Sequence, residues 1–119
     1  MSLDVSLYKK RFIRYEGGEE QEENELVYAR NITHNLNQMA MKAGIYEAMW
    51  RPEEIDCKLA KDIIPLLEKG LEKLKKDPSF YKQWNPENGW GSYKGLVEFT
   101  EQYLEACRQY PEATIEVDR

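Results

Sequence analysis

The stretch 56-DCKLAKDIIPLLEKGLEKLKK-76 carries the most regular pattern in the chain, and the rest of the fold must accommodate it. Its apolar residues recur every three or four positions, which predicts an amphipathic helix with one buried face. These residues are Leu59, Ala60, Ile63, Ile64, Leu67, Leu71 and Leu74. Pro65 lies off the stripe and should bend the helix. Gly70 weakens the helix, but it would let another element approach closely.

Alternating apolar and polar residues near both ends of the chain predict the layer against which this helix packs. Residues 3–7 form one such segment, which residues 12–15 extend or answer. Residues 25–30 form a second segment, and residues 113–118 form a last one. We expect the terminal strand to pair with an N-terminal strand.

Shorter helical patterns fill the rest of the chain. Residues 36–43 carry a helical stripe, residues 45–50 predict a short helix, and residues 92–110 predict a long one. One more helical turn is expected between residues 79 and 84. The predicted fold is therefore α+β: residues 1–119 form one domain, in which three to four helices pack on one face of a small antiparallel sheet built from the N- and C-terminal strands.

Charge is distributed unevenly along the chain. The segment 16-EGGEEQEENE-25 holds six glutamates and predicts a flexible acidic loop. Four basic residues precede it, at Lys9, Lys10, Arg11 and Arg14, but the adjacent glutamates should neutralise them. With a net charge of −5, the chain is not expected to bind nucleic acid.

Several classes of protein are not indicated by the sequence. No apolar run approaches the roughly 20 residues that span a bilayer, and no secretory signal is visible, so no membrane attachment is expected. Cys57 and Cys107 have apolar neighbours at helical spacing, which favours buried free thiols. Without paired cysteine spacing, no metal or other cofactor is predicted.

The segment 31-NITHN-35 is the first candidate site. Asn31 ends a strand, Thr33 can cap a helix, and His34 and Asn35 lie in its first turn. Polar side chains and free backbone N–H groups would favour an anion or a polar ligand there. His34, the only histidine, is a general base, a metal ligand or a structural hydrogen-bonding residue.

The segment 88-NGWG-91 is the second candidate site. A large aromatic residue between two glycines indicates either that Trp90 fills the core or that it forms a pocket wall or partner anchor. Other residues near helix ends and loops join the set of candidates for ligand or partner binding. With the NITHN segment, that set is Asn31, Thr33, His34, Asn35, Trp50, Arg51, Asn88, Trp90 and Tyr93.

No catalytic signature such as G-x-S-x-G, H-E-x-x-H or a glycine-rich phosphate loop appears in the sequence. This favours a non-enzymatic protein-interaction or assembly domain, whose partner is another protein or a second copy of the chain. The alternative is a small enzyme or ligand-binding protein with a polar pocket formed by the NITHN and NGWG segments. That alternative requires the two segments to meet in space.

The strings NITHNLNQMAMKAGIYEAMWRP, IIPLLEKGLEKL and NPENGWGSYKGLVEFTEQYLEAC resemble a family of small proteins encoded in tailed bacteriophages, prophages and some bacterial genomes. The resemblance covers about residues 25 to 119. It names no activity. It implies a phage or bacterial origin, a cytoplasmic setting in the host cell and no established catalytic role.

Overall fold

A computed structural model describes residues 2–119 and places a three-stranded antiparallel sheet beside five α-helices. The strands are β1 (Ser2–Arg14), β2 (Glu20–Thr33) and β3 (Thr114–Asp118). The α-helices are α1 (Asn37–Ala43), α2 (Tyr46–Trp50), α3 (Ala60–Lys76), α4 (Pro78–Lys82) and α5 (Tyr93–Gln109). Short 3-10 turns lie at His34–Leu36 and Pro52–Ile55. The predicted α+β class is confirmed.

The strand order β2-β1-β3 places the first strand in the centre of the sheet. The predicted pairing of the terminal strand with an N-terminal strand is confirmed, since β3 runs antiparallel to β1 and pairs Val5 with Val117. Alternation along β1 turns Leu3, Val5 and Leu7 toward the core, where they are fully buried. The opposite face of the sheet carries polar residues such as Asp4 and is left open.

A two-stranded hairpin extends beyond this body. β3 pairs with β1 only as far as Tyr8, whereas β1 and β2 remain paired out to Arg14 and Glu20. We name residues 9–25 the hairpin arm. It gives the molecule extents of 61 × 27 × 23 Å. The radius of gyration is 16.2 Å, against the roughly 13.5 Å expected of a compact chain of this length.

The arm corrects the prediction that residues 16–25 form a flexible acidic loop. The connection is only a tight turn around Gly17 and Gly18, and Glu20 to Glu25 belong to β2. Cross-strand ion pairs explain the difference, because each glutamate lies opposite a basic strand. These pairs join Lys9 to Glu25 at 3.5 Å, Lys10 to Glu22 at 3.4 Å and Arg14 to Glu20 at 2.8 Å.

The predicted helical stripe lies in α3 except for Leu59, which directly precedes the helix, and Ile64 and Leu71 are only half-buried. Ile63, Leu67 and Leu74 are fully buried, and α3 packs along α5. The helix begins at Ala60 rather than near Asp56, because the Asp62 carboxylate accepts hydrogen bonds from the backbone N–H groups of Lys58 (3.1 Å) and Leu59 (2.9 Å). These bonds satisfy donors that the helix itself leaves free.

Gly70 is the point of closest approach between α3 and the chain between α1 and α2. A Cβ atom at Gly70 would lie 2.0 Å from Cγ2 of Ile45, which is fully buried, and 3.2 Å from the carbonyl oxygen of Ala43. The prediction that a small residue here admits another element is confirmed. Across residues 2–119, no helix combines the length and apolar character required to cross a membrane.

Both cysteines are free thiols. Cys107 is buried in α5, and burial raises its pKa to about 12. Cys57 is half-buried, and burial also raises its pKa. The expectation of buried free thiols therefore holds in full for Cys107 and in part for Cys57. A raised pKa keeps each sulfur protonated and a poor nucleophile near neutral pH.

We predict that Gly70→Ala destabilises the protein by about 1–3 kcal/mol, because the new methyl group overlaps Ile45 in a packed core. Gly95→Ala in α5 is the matched control. Its Cβ would meet only Ser92 Oγ, at 3.4 Å, so the higher helix propensity of alanine should stabilise the protein by up to about 1 kcal/mol. Urea unfolding measures both. Equal effects of the two substitutions would contradict the close approach.

We predict that Asp62→Ala lowers the free energy of unfolding by about 1 kcal/mol at pH 7, as loss of a helix cap does. The backbone hydrogen bonds from Leu59 and Lys58 hold the pKa of Asp62 below its ordinary 3.8. The stabilisation is therefore complete above that value and is lost as the pH falls through the lower pKa of the folded state. The difference from wild type should vanish in acid. Glu72→Ala, on the exposed face of α3, should show no such pH-dependent difference.

Candidate interaction surface

The NITHN and NGWG segments meet at one corner of the molecule. Asn35 Nδ2 donates a hydrogen bond to the carbonyl oxygen of Trp90 at 3.4 Å. Gly91 packs so tightly that a Cβ atom there would lie 2.7 Å from Cγ2 of Thr33 and 3.0 Å from Cγ of Leu36. Its φ of +103° is also a conformation that favours glycine. The spatial requirement of the polar-pocket alternative is therefore met.

Local hydrogen bonds shape the NITHN side of this corner. Thr33 Oγ1 accepts from the backbone N–H of Asn35 at 3.3 Å, as the predicted cap requires. The chain then makes a 3-10 turn that buries Leu36 before α1 begins. Asn31 does not end the strand, because β2 continues to Thr33. It lies exposed in β2 opposite Asp4.

The NGWG side holds the backbone of Trp90 in place and leaves its indole ring free. Asn88 Oδ1 accepts from the backbone N–H of Trp90 at 3.0 Å, which closes a tight side-chain turn. The Trp90 side chain is nevertheless 70% exposed. The interpretation in which Trp90 fills the core is therefore wrong, since Leu36 occupies the space beneath the turn. We name Thr33, Asn35, Asn88, Trp90 and Gly91 the Trp90 corner.

His34 points away from the Trp90 corner, toward α2. Its Nδ1 atom accepts a hydrogen bond of 2.9 Å from the indole N–H of Trp50. An indole nitrogen only donates, so Nδ1 carries no proton and the neutral ring bears its proton on Nε2. Trp50 is 2% exposed and stacks on Tyr46 with ring centroids 5.6 Å apart. This arrangement gives His34 a structural bond, which was one of the three roles left open for it.

Trp50 and Arg51 belong to the same part of the body. Trp50 is buried, so its side chain is not available to a ligand. Arg51 donates from Nε to the Tyr46 hydroxyl at 3.1 Å and pairs with Glu54 at 3.0 Å. Hydrogen bonds to Tyr46 and then to Glu54 raise the pKa of Arg51. Two nitrogens of its guanidinium, Nε and Nη1, are therefore engaged in hydrogen bonds within the chain.

Tyr93 lies apart from both groups. Its hydroxyl donates to the carbonyl oxygen of Leu74 at 2.6 Å, and its backbone N–H donates to Asn85 Oδ1 at 2.8 Å. The side chain lines an open groove of about 590 Å³ together with Lys82 and Val97. The nine candidate residues therefore divide among the Trp90 corner, the Trp50 region, the Tyr93 groove and the exposed strand residue Asn31.

Two features of the surface were missed by sequence reasoning. Arg119 donates to the carbonyl oxygen of Trp50 at 2.8 Å and pairs with Glu53. A contact between residues so far apart in the chain leaves no local pattern. The hairpin arm carries Phe12, which is 68% exposed, and the base of the arm carries Leu26, which is 52% exposed. Both are visible in the sequence as apolar positions within a strongly charged stretch. The sequence does not show that β3 ends opposite Tyr8 and leaves the arm uncovered.

We predict that the bond between Trp50 and His34 contributes about 1 kcal/mol to stability, as a part-buried hydrogen bond does. Trp50→Phe, His34→Ala and the double variant form a double-mutant cycle. The double variant should lose less stability than the sum of the two single losses, by about 1 kcal/mol. Urea unfolding gives the three free energies. The same cycle with Trp84→Phe in place of Trp50→Phe is the control. Simple additivity in the first cycle would show that the bond contributes nothing.

Within the described residues 2–119, no three His, Cys, Asp or Glu side chains gather as a metal site would require. Comparison with family models, with curated proteins and with solved structures gave no match. The resemblance to a family of phage and bacterial proteins accordingly stays a prediction. The arrangement offers an exposed aromatic ring on a fixed backbone, flanked by amide and hydroxyl groups.

Proposed function

We propose that this protein is a non-enzymatic interaction or assembly domain that contacts its partner through the Trp90 corner. The observation that carries the proposal is the contrast between a fixed backbone and a free side chain at Trp90. Its N–H and C=O groups are both hydrogen-bonded within the chain, while the indole is 70% exposed. Tryptophan is among the residues that most often dominate the binding energy of protein interfaces.

A fixed backbone at Trp90 lowers the cost of ordering this residue on binding. A side chain on a mobile loop loses conformational freedom when it binds, and this loss weakens the complex. The turn at Asn88 and the packing of Gly91 on Thr33 and Leu36 remove much of that freedom before binding. Burying the indole against a partner would then yield most of its hydrophobic free energy as affinity.

The polar surroundings fit a protein partner. Asn35 and Asn88 are exposed and hydrogen-bond the backbone of Trp90, and Asn31 is exposed in β2. Interfaces commonly combine a central aromatic residue with a rim of hydrogen-bonding groups. The resemblance to phage and bacterial proteins directs the search for that partner to a bacterial cell, and we propose the cytoplasm of the host as its setting.

A second candidate function is that of a small-ligand-binding protein or small enzyme at the same corner. The contact between Asn35 and Trp90 favours it, because the two segments do adjoin. Native mass spectrometry of gently purified protein distinguishes this candidate. A discrete extra mass that Asn35→Ala removes would support a ligand site at this corner.

We predict that a photo-crosslinking residue at position 90 captures one specific protein from a bacterial extract. Trp90→p-benzoylphenylalanine tests the corner, and Met41→p-benzoylphenylalanine, at a site 51% exposed in α1, is the matched control. With the captured protein purified, Trp90→Ala should weaken binding at least about 30-fold, as a hot-spot residue does. Met41→Ala should leave the affinity unchanged. Isothermal titration calorimetry measures both.

The stability of the variants separates binding from folding. Trp90→Ala should change the free energy of unfolding by less than about 0.5 kcal/mol, because the ring makes few contacts within the chain. A captured protein that binds Trp90→Ala and wild type equally well would refute the role of the corner. The same conclusion would follow if positions 90 and 41 captured the same proteins in equal amounts.

A further inference from the structure

The hairpin arm has two backbone edges that no strand covers within residues 2–119. β2 is an edge strand along its whole length, and β1 loses its outer neighbour once β3 ends opposite Tyr8. Exposed strand edges present rows of backbone donors and acceptors that can pair with another chain. A hairpin of two strands is also only marginally stable by itself.

The two edges carry opposite charge. On the β1 edge lie Lys9, Lys10, Arg11 and Arg14, and on the β2 edge lie Glu20, Glu22, Glu23 and Glu25. The ion pairs within the arm show that these side chains meet across neighbouring strands at 2.8–3.5 Å. A further strand beside the β1 edge would continue the same pattern if it were acidic.

The arm and its base also expose apolar side chains on one face. Strand alternation places Phe12 on the face opposite Leu3, Val5 and Leu7, and Leu26, which pairs with Tyr8, shares that face. The helices cover the other face. An assembly that turned its helices outward would therefore bring Phe12 and Leu26 inward, away from water.

We propose that the arm binds a second copy of this chain, with the β1 edge of one copy pairing antiparallel with the β2 edge of the next. This inference rests on the proposed function as an interaction domain but uses different residues. Arms that point the same way fit this pairing, because β1 and β2 run in opposite directions. The contact is head-to-tail, so repeated pairing forms a closed ring when the rotation between copies allows it.

Charge excludes the two-fold alternatives. A β1 edge against a second β1 edge would oppose lysine and arginine, and a β2 edge against a second β2 edge would oppose glutamates. Like charges directly opposite each other destabilise a sheet. Only the unlike pairing continues the alternation of basic and acidic strands that already holds the arm together.

The short third strand favours a ring over a flat sheet. In the body, β3 and residues 58–59, which bond to its outer edge, lie between β1 of one copy and β2 of the next, whereas no strand covers β1 in the arm. Each strand adds about 4.8 Å to the separation. The bodies must therefore lie further apart than the arms, so the arms converge. The right-handed twist between neighbouring strands curves such a set of arms toward closure.

A charge exchange within the arm tests the pairing in the full chain. It reverses three ion pairs while keeping each of them attractive within its own arm. The substitutions are Lys9→Glu with Glu25→Lys, Lys10→Glu with Glu22→Lys, and Arg14→Glu with Glu20→Arg. Wild type and this variant should each assemble alone, but a mixed interface would oppose like charges at three positions.

Native mass spectrometry of the mixed proteins gives the result. We expect wild type to form a discrete multiple of 14.1 kDa, and mixed assemblies to be at least about tenfold rarer than random mixing predicts. The control exchanges the ion pair between α3 and α5, Lys75→Glu with Glu101→Lys, and should mix with wild type at random. A wild type that stays monomeric at high concentration, or random mixing with the arm variant, would overturn the proposal.

A single exposed residue provides a second test if the charge variant fails to fold. Phe12→Ser should leave the unfolding transition unchanged and weaken assembly at least tenfold, whereas Met41→Ser, at a comparably exposed site, should leave assembly intact. Loss of assembly in Trp90→Ala but not in Phe12→Ser would place self-association at the Trp90 corner and refute the arm. A monomer that still binds a partner through Trp90 would refute the arm and leave the proposed function standing.

Discussion

The body of this protein depends on the burial of one face of β1. Leu3, Val5 and Leu7 are fully buried, and β1 is the strand that both β2 and β3 use as their partner. The sheet therefore forms only when residues from the two ends of the chain come together. The helices between those ends have to cover the face that β1 presents, and the stripe of α3 meets it together with α5. Burial of that shared core is the main free energy that holds the ends in register.

The open parts of the molecule lie where this core stops. At the Trp90 corner, Gly91 packs against Thr33 and Leu36 at the boundary of the core, and the indole ring of Trp90 is left exposed to water. In the arm, β1 and β2 continue beyond β3, and ion pairs replace apolar burial as the contacts between them. Exposed ion pairs contribute little stability each. Both regions thus present an exposed aromatic side chain. Trp90 lies on a turn whose backbone is hydrogen-bonded within the chain, and Phe12 lies on a strand whose outer edge is open.

These two regions suit different kinds of contact. An isolated aromatic ring at a corner fits a pocket on another protein, whereas an open strand edge fits another strand. His34 illustrates how a chemically suggestive residue can serve the fold instead. Its Nδ1 atom is occupied by Trp50, which is itself buried and stacked on Tyr46. The only histidine of the chain therefore links the NITHN turn to α2.

Local sequence by itself determined the elements whose side chains repeat with a regular period. The stripe of α3, the alternation of β1 and β3 and the cap at Thr33 are all visible in the sequence, because helix and strand periods depend on neighbouring residues. Local reasoning failed for the acidic run at residues 20–25, because its strand structure depends on the basic residues across the hairpin. Tertiary structure alone decided that NITHN adjoins NGWG, that Trp90 is exposed, that Arg119 reaches Trp50 and that β3 ends before the arm. Those outcomes depend on which surfaces, distant in the sequence, pack together and exclude water. Local periodicity carries no information about that packing.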